Sequence, residues 1–219
     1  MIKRILMAVA CLLAAANSAN AATGRVTDRT ERWDLSIETR YTTEHDYDGP
    51  SNTKLQLSDD LGWGFGFGYN MNERINLGFL MSWRSISYNA TYYDATDTAT
   101  QLSYGGWLDT GTIAAQGTWY ILPKTLTPYV NGLVGWTMVD TNIVADYQVG
   151  CWYDPWWGYV CNGYTSTYGW DGLSYGVGAG LRFEPNESVY FQIGYEADWI
   201  DLNSADNFQM FRVDLGFTN

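Results

Sequence analysis

The chain has 219 residues, with 12 Lys or Arg against 24 Asp or Glu, a formal net charge of −12. That balance excludes nucleic acid as a partner, because its phosphates would be repelled. Charged residues make up only 16 % of the chain and aromatics another 16 %, whereas soluble domains carry about 25 % charge, so an ordinary water-facing surface is not expected.

Residues 1–21, MIKRILMAVACLLAAANSANA, read as a cleaved secretory signal peptide. Lys3 and Arg4 form its basic start, Ile5 to Ala16 its apolar core, and Ala19-Asn20-Ala21 its small-residue cleavage site. The alternative, lipoprotein processing at Cys11 within Ala8-Val9-Ala10-Cys11, leaves too short an apolar stretch ahead of the cysteine. Residues 22–219 then form one domain with ten basic residues against 24 acidic ones, a net charge of −14. No apolar run of eighteen residues remains, so no membrane-spanning helix is expected. Cys151 and Cys161 survive in an exported, oxidising setting, where a disulfide is expected.

Arg32 to Thr43 alternates Trp33, Leu35, Ile37, Thr39 and Tyr41 against Asp34, Ser36, Glu38 and Arg40, the period-2 pattern of a strand. Glu44 to Asp60, with Gly49-Pro50 and several acids, reads as a long loop. Leu61, Trp63, Phe65, Phe67 and Tyr69 then alternate with glycines. The short turn Asn70 to Glu73 leads to a third strand carrying Ile75, Leu77, Phe79, Met81 and Trp83 on one face. Tyr88 to Gly106 reads as a second long loop, and Trp107 to Ile121 as a fourth strand with Ile113, Ala115 and Trp119 on one face. After a turn at Leu122 to Thr127, Pro128 to Asp140 forms the fifth strand, with Val130, Val134, Trp136 and Met138 outward. Thr141 to Gly172 reads as the longest loop and carries both cysteines.

Leu173 to Trp199 has the clearest pattern. Leu173, Tyr175, Val177, Ala179, Leu181 and Phe183 alternate with Ser174, Gly176, Gly178, Gly180 and Arg182, and the turn Pro185 to Ser188 follows. Val189, Phe191, Ile193, Tyr195, Ala197 and Trp199 then alternate with Tyr190, Gln192, Gly194, Glu196 and Asp198. Phe208 to Phe217 is the eighth strand. The faces opposite the apolar ones are small or carry charges of both signs, which suits a crowded interior. The apolar faces, with aromatics near strand ends, suit lipid. Loops after strands one, three and five are long and turns after two, four and six are short. That asymmetry predicts a closed, antiparallel, eight-stranded transmembrane β-barrel with short periplasmic turns and long extracellular loops.

The run Thr127-Pro128-Tyr129-Val130-Asn131-Gly132-Leu133-Val134-Gly135-Trp136 resembles the "TPYV-x-G-x-x-G-W" element of small outer-membrane barrels related to OmpA, OmpX and the opacity proteins. The Gly-alternating segments 61–69 and 173–183 resemble it too. The resemblance spans nearly the whole mature chain and implies a bacterial outer-membrane location. Outer-membrane lipid, lipopolysaccharide and the barrel-assembly machinery are then the expected partners. Members usually end in a terminal aromatic, whereas here Phe217 is followed by Thr218-Asn219.

Eight strands enclose a lumen just wide enough for side chains to fill. Arg40, Arg84, Arg182 and Arg212 share the inward set with Asp34, Glu38, Glu184, Glu196, Asp198 and Asp214. A plug of ion pairs is expected, since unpaired charges in a narrow interior are expensive; a narrow porin-like channel along the acid surplus is the alternative. His45, the sole histidine, lies beyond strand one near Glu44, Asp46 and Ser51. A lipid A-modifying enzyme would need it as a base, but a solvated loop histidine is the simpler reading, and no enzyme is expected. One histidine and two paired cysteines make no metal constellation. Gly176-Val177-Gly178-Ala179-Gly180 lies in a strand pattern with no helix after it, so no nucleotide loop is read there, and no cofactor is expected.

The loop from Gly150 to Trp170 places Trp152, Tyr153, Trp156, Trp157 and Tyr159 inside the expected disulfide ring. Such aromatics either pack over the barrel mouth or contact a glycan, lipid or host protein. The loop acids Asp46, Asp48, Asp59, Asp60, Asp94 and Asp97 are read as solvated, with divalent bridging to lipopolysaccharide as the alternative. The expected role of the monomer is structural or surface-interactive, through these loops.

Overall fold

The computed structural model describes residues 28–48, 53–93, 101–154, 158–201 and 206–219. The expected signal peptide with Cys11, the residues Gly49, Pro50 and Ser51, the acids Asp94 and Asp97, and Trp156 and Trp157 lie outside the described residues. So do the side chains of His45, Asp48, Cys151, Trp152, Tyr153, Tyr159 and Cys161.

Among the described residues ten strands follow in chain order: β1 (Trp33–Thr42), β2 (His45–Asp48), β3 (Lys54–Leu57), β4 (Asp60–Asn70) and β5 (Ile75–Tyr93). They continue with β6 (Gln101–Tyr120), β7 (Leu126–Asp154), β8 (Gly158–Phe183), β9 (Val189–Ile200) and β10 (Asp206–Thr218). All but β2 and β3 form one antiparallel ring, β1-β4-β5-β6-β7-β8-β9-β10. It closes where β1 pairs with β10, from Asp34↔Thr218 to Thr42↔Met210. No barrel strand is left with a bare edge, the condition for crossing lipid with strands.

The faces are reversed relative to a soluble barrel. Trp63, Phe79, Val177 and Phe191 are 51 %, 65 %, 56 % and 44 % exposed on the outer wall, while Arg40, Arg182 and Arg212 are at most 5 % exposed. Aromatics gather toward both ends of the wall. At the end with the short turns Trp33 stacks on Phe67, centroids 4.9 Å apart; toward the other end Trp63 meets Trp83 at 4.9 Å and Tyr175 stacks on Trp199 at 5.7 Å. An apolar wall between aromatic belts is what a bilayer requires of a strand-built span.

Two of the three short turns share one piece of chemistry. Asn72 Oδ1 accepts from the amides of Arg74 (2.8 Å) and Ile75 (2.9 Å), and Asn186 Oδ1 accepts from Ser188 (2.9 Å) and Val189 (2.8 Å). Each asparagine substitutes for a backbone turn bond and sets the register of its hairpin. Interior glycines clear room for large inward groups. A Cβ on Gly64 would meet Glu38 Oε1 at 2.7 Å, and Gly194, which faces Gly180 across the ladder, would meet the Tyr129 hydroxyl at 2.5 Å.

The three expected long loops are a correction. Glu44 to Asp60 contains the β2–β3 hairpin, and β3 pairs onward with β5. Tyr88 to Gly106 is mostly paired strand, since the β5–β6 ladder runs out to Tyr93↔Gln101. Thr141 to Gly172 is mostly the outer part of β7 and β8. Beyond the membrane both faces meet water, so the apolar alternation fades. Pairing persists because Thr, Tyr and Val still suit a pleated ladder.

An arginine in the middle of the lipid-facing wall should oppose insertion. Phe79→Arg is expected to destabilise the folded barrel by about 2–4 kcal/mol, read as a lower urea midpoint for folding into phospholipid vesicles.

Candidate functional site

Two features project from this scaffold: a charged lumen and a ribbon beyond its rim. In the lumen, β1 and β10 set like charges side by side, Glu38↔Asp214 and Arg40↔Arg212. Like charges directly opposite are unfavourable, so each is offset within its own strand. Arg40 Nε donates to Glu38 Oε1 (2.8 Å), and Arg212 Nε donates to Asp214 Oδ1 (2.8 Å) and lies 3.1 Å from Glu38 Oε2. Strand β9 adds Glu196, which pairs with Arg40 Nη1 (2.8 Å) and Arg212 Nη1 (3.4 Å) and accepts from Asn131 Nδ2 (3.0 Å). Asp198 lies 3.6 Å from Arg40 Nη1.

A second layer sits nearer the short turns. Arg182 donates to Asp34 Oδ2 (2.8 Å), to the Tyr120 hydroxyl (2.6 Å) and to Glu184. Its guanidinium carbon lies 3.7 Å from the Tyr190 ring centroid. Between the layers a gap of about 30 Å3 is bordered by Ser36, Asn76, Gln116, Tyr190 and Arg212, about the volume of one water molecule.

Arg29, ahead of β1 and absent from the expected inward set, closes the lower end. It is 1 % exposed, donates to Glu184 Oε1 (2.6 Å), and reaches the carbonyls of Glu73 (3.1 Å) and Lys124 (2.8 Å). One side chain thus ties all three short turns together. No strand pattern marks it, because it precedes the first strand.

Arg84 stands apart from the other arginines. Its Nε donates to Thr110 Oγ1 (3.0 Å), its Nη1 to Thr42 Oγ1 (3.5 Å), and its guanidinium lies 5.0 Å from the Phe208 ring centroid. Asp198 is the register partner of Phe208 and so shares this level, while the contacts of the Arg84 guanidinium are hydroxyls and an apolar ring. Among the described residues no three His, Cys, Asp or Glu groups are set to hold a metal ion.

The ribbon begins where the wall ends. The β6–β7 ladder stops at Asp109↔Asp140, while β7 continues against β8 to Asp154↔Gly158. Register shifts at Asp140/Val144 and Val144/Asp146 interrupt its ladder where it leaves β6, and such irregularities bend and twist a strand. Asn142 adopts a left-handed backbone (φ 56°), and its side chain donates to Asp109 Oδ2 at 3.0 Å, spanning the split. Cys151 and Cys161 are direct register partners in this ribbon.

Removing one cation from the inner cluster leaves Glu38, Asp214 and Glu196 undercompensated. Arg212→Met should cost about 3–5 kcal/mol, and adding Asp214→Leu should restore part of it, as read by urea unfolding in vesicles.

No protein-family profile and no curated relative matches the chain. Among solved structures, the outer membrane protein OprG from Pseudomonas aeruginosa aligns with 10 % identity and a TM-score of 0.56, covering 88 % of this chain and 98 % of that one. Neisserial surface protein A aligns with 11 % identity and a TM-score of 0.48, covering 85 % and 95 %. The N-terminal barrel domain of Pseudomonas aeruginosa OprF gives 12 % and 0.45, covering 87 % and 98 %. With its ring of eight strands and its apolar outer wall, the chain has the fold of the small eight-stranded β-barrels of the bacterial outer membrane.

Proposed function

We propose that this outer-membrane barrel is a surface-interaction protein whose lumen is sealed and whose β7–β8 ribbon engages an uncharged glycan outside the cell. The carrying observation is the departure of the ribbon from the wall at Asp109↔Asp140. Fourteen further residues of β7 span roughly 45 Å of extended strand. A barrel carrying this ribbon, longer than the β5–β6 extension that ends at Tyr93↔Gln101, displays its tip well beyond the headgroups.

Charge favours a neutral partner. Between Lys124 and Arg182 the sequence has no Lys, Arg or His, but it has four aspartates, Asp140, Asp146, Asp154 and Asp171. Sulfated or phosphorylated glycans would be repelled. Trp152, Tyr153, Trp156, Trp157 and Tyr159 supply apolar ring faces and polar tips, which suit the faces and hydroxyls of neutral sugars. The Cys151↔Cys161 register supports a disulfide, since antiparallel partners place their Cα atoms about 4.5–5.5 Å apart. That bond would stabilise the tip by about 2–3 kcal/mol. The two ion-pair layers fill the lumen and support a non-conducting barrel.

Deleting Tyr153 to Tyr159 should abolish retention on a neutral-glycan array while leaving the heat-dependent gel shift of the folded barrel intact. The undeleted protein should also give a flat current trace in planar bilayers. Retention that survives the deletion, or discrete conductance steps, would contradict the reading. Separately, a thiol reagent applied to denatured, unreduced mature protein should label neither cysteine, and after reduction it should label both.

A further inference from the structure

Above the ion-pair layers the lumen changes character. On the inward positions where the lower half carries Glu38, Asp34 and Arg182, the upper half carries Ile86 and Tyr88 of β5, Ile200 of β9, and Phe208 and Met210 of β10. Leu57 of the β2–β3 hairpin folds onto them. All six are at most 9 % exposed. Closing a barrel does not require so large an apolar cluster, since the lower half closes mainly with polar side chains around the smaller patch of Leu80, Ala114 and Leu133.

Beside this cluster lies a cavity of about 450 Å3, within the usual range for small-molecule sites. Its wall includes Tyr88, Leu108, Val139, Tyr168, Trp170 and Phe208; among the described residues the polar groups lining it are the hydroxyls of Thr110, Thr141 and the two tyrosines and the indole N–H of Trp170. Tyr168 and Trp170 are 58 % and 42 % exposed, so the cavity opens at the rim. Its base is closed by the Phe208 ring with Arg84 against it, and below them by the Arg40 and Glu196 layer.

From this arrangement we infer that the extracellular mouth is a binding cup for a small, uncharged aromatic molecule. Four aromatic side chains in one wall suit ring-on-ring contacts. Among the described residues no carboxylate or ammonium lines the cavity, so a charged ligand would be desolvated without a partner from them. The volume excludes a protein element. By sequence, residues 49–52 (GPSN), 94–100 (DATDTAT) and 202–205 (LNSA) bring a single large apolar side chain, Leu202, and are poorly suited to fill it. The ribbon tip at Asp154 lies fifteen residues beyond Val139, about 50 Å along an extended strand. The sealed base makes the cup a holding site and not a passage.

The test is equilibrium dialysis of naphthalene against the full mature chain in lipid nanodiscs, with protein-free nanodiscs as the blank. Saturable uptake of about one molecule per barrel is expected above the blank. Val139→Phe and Leu108→Trp, which fill the cavity, should weaken it at least tenfold. Val134→Phe, on the lipid face of the same strand, should leave it unchanged. Tyr168→Ala removes an exposed wall ring without touching the core, and it should weaken binding several-fold. Gel mobility confirms folding of each variant. Uptake equal to the blank, or saturable uptake indifferent to the filling variants and to Tyr168→Ala, overturns the inference. Neither result bears on the ribbon reading, which depends on residues far from this cavity.

Discussion

In hydrocarbon no water is available to a backbone amide or carbonyl, and an unpaired one costs several kcal/mol. The ladder between β1 and β10 is therefore the interaction on which the rest of the molecule depends. It removes the last sheet edge and brings the start of β1 and the end of β10 to the side with the short turns. Once the ring is closed, each strand has one face for acyl chains and one for a narrow interior. Leu35 and Ile37 then point to lipid, while Ser36 and Glu38 point inward.

A closed interior must be filled, and the chain fills it in two chemically different ways. Toward the short turns, guanidinium and carboxylate groups interlock in layers, with Tyr120, Tyr129 and Tyr190 completing the packing. Such groups are tolerable there because nearly every charge is met by another within about 3 Å. Toward the rim, aliphatic and aromatic side chains replace them around a cavity open to the outside. Arg84 marks the boundary, holding two hydroxyls and the face of Phe208. The lumen is thus packed with ion pairs below and holds an apolar cavity above, and the β7–β8 ribbon extends past the end of the β6–β7 ladder.

The division between lipid-facing and inward residues was legible residue by residue in the sequence. Trp63, Phe65 and Phe67 against Gly62, Gly64 and Gly66 admit only one period, and a lipid exterior leaves one assignment of faces. The inward arginines and acids were legible for the same reason. The cup left a signal too: Ile86 and Tyr88 fall on the same parity as Ser82 and Arg84, apolar residues where the lumen is expected. A reading that treats Tyr88 onward as loop passes over it.

Sequence alone determined the class of fold, because period-2 alternation, an inside-out polarity and the spacing of short turns are local properties. It did not determine which charges meet, since Arg182 reaches Asp34 across 148 positions and Arg29 reaches Glu184 across 155. Nor did it determine where strands end, because in water both faces of a ladder accept polar residues and only the partner strand decides. Those choices belong to closure: the ring must exist before its interior has contents or its rim has a shape.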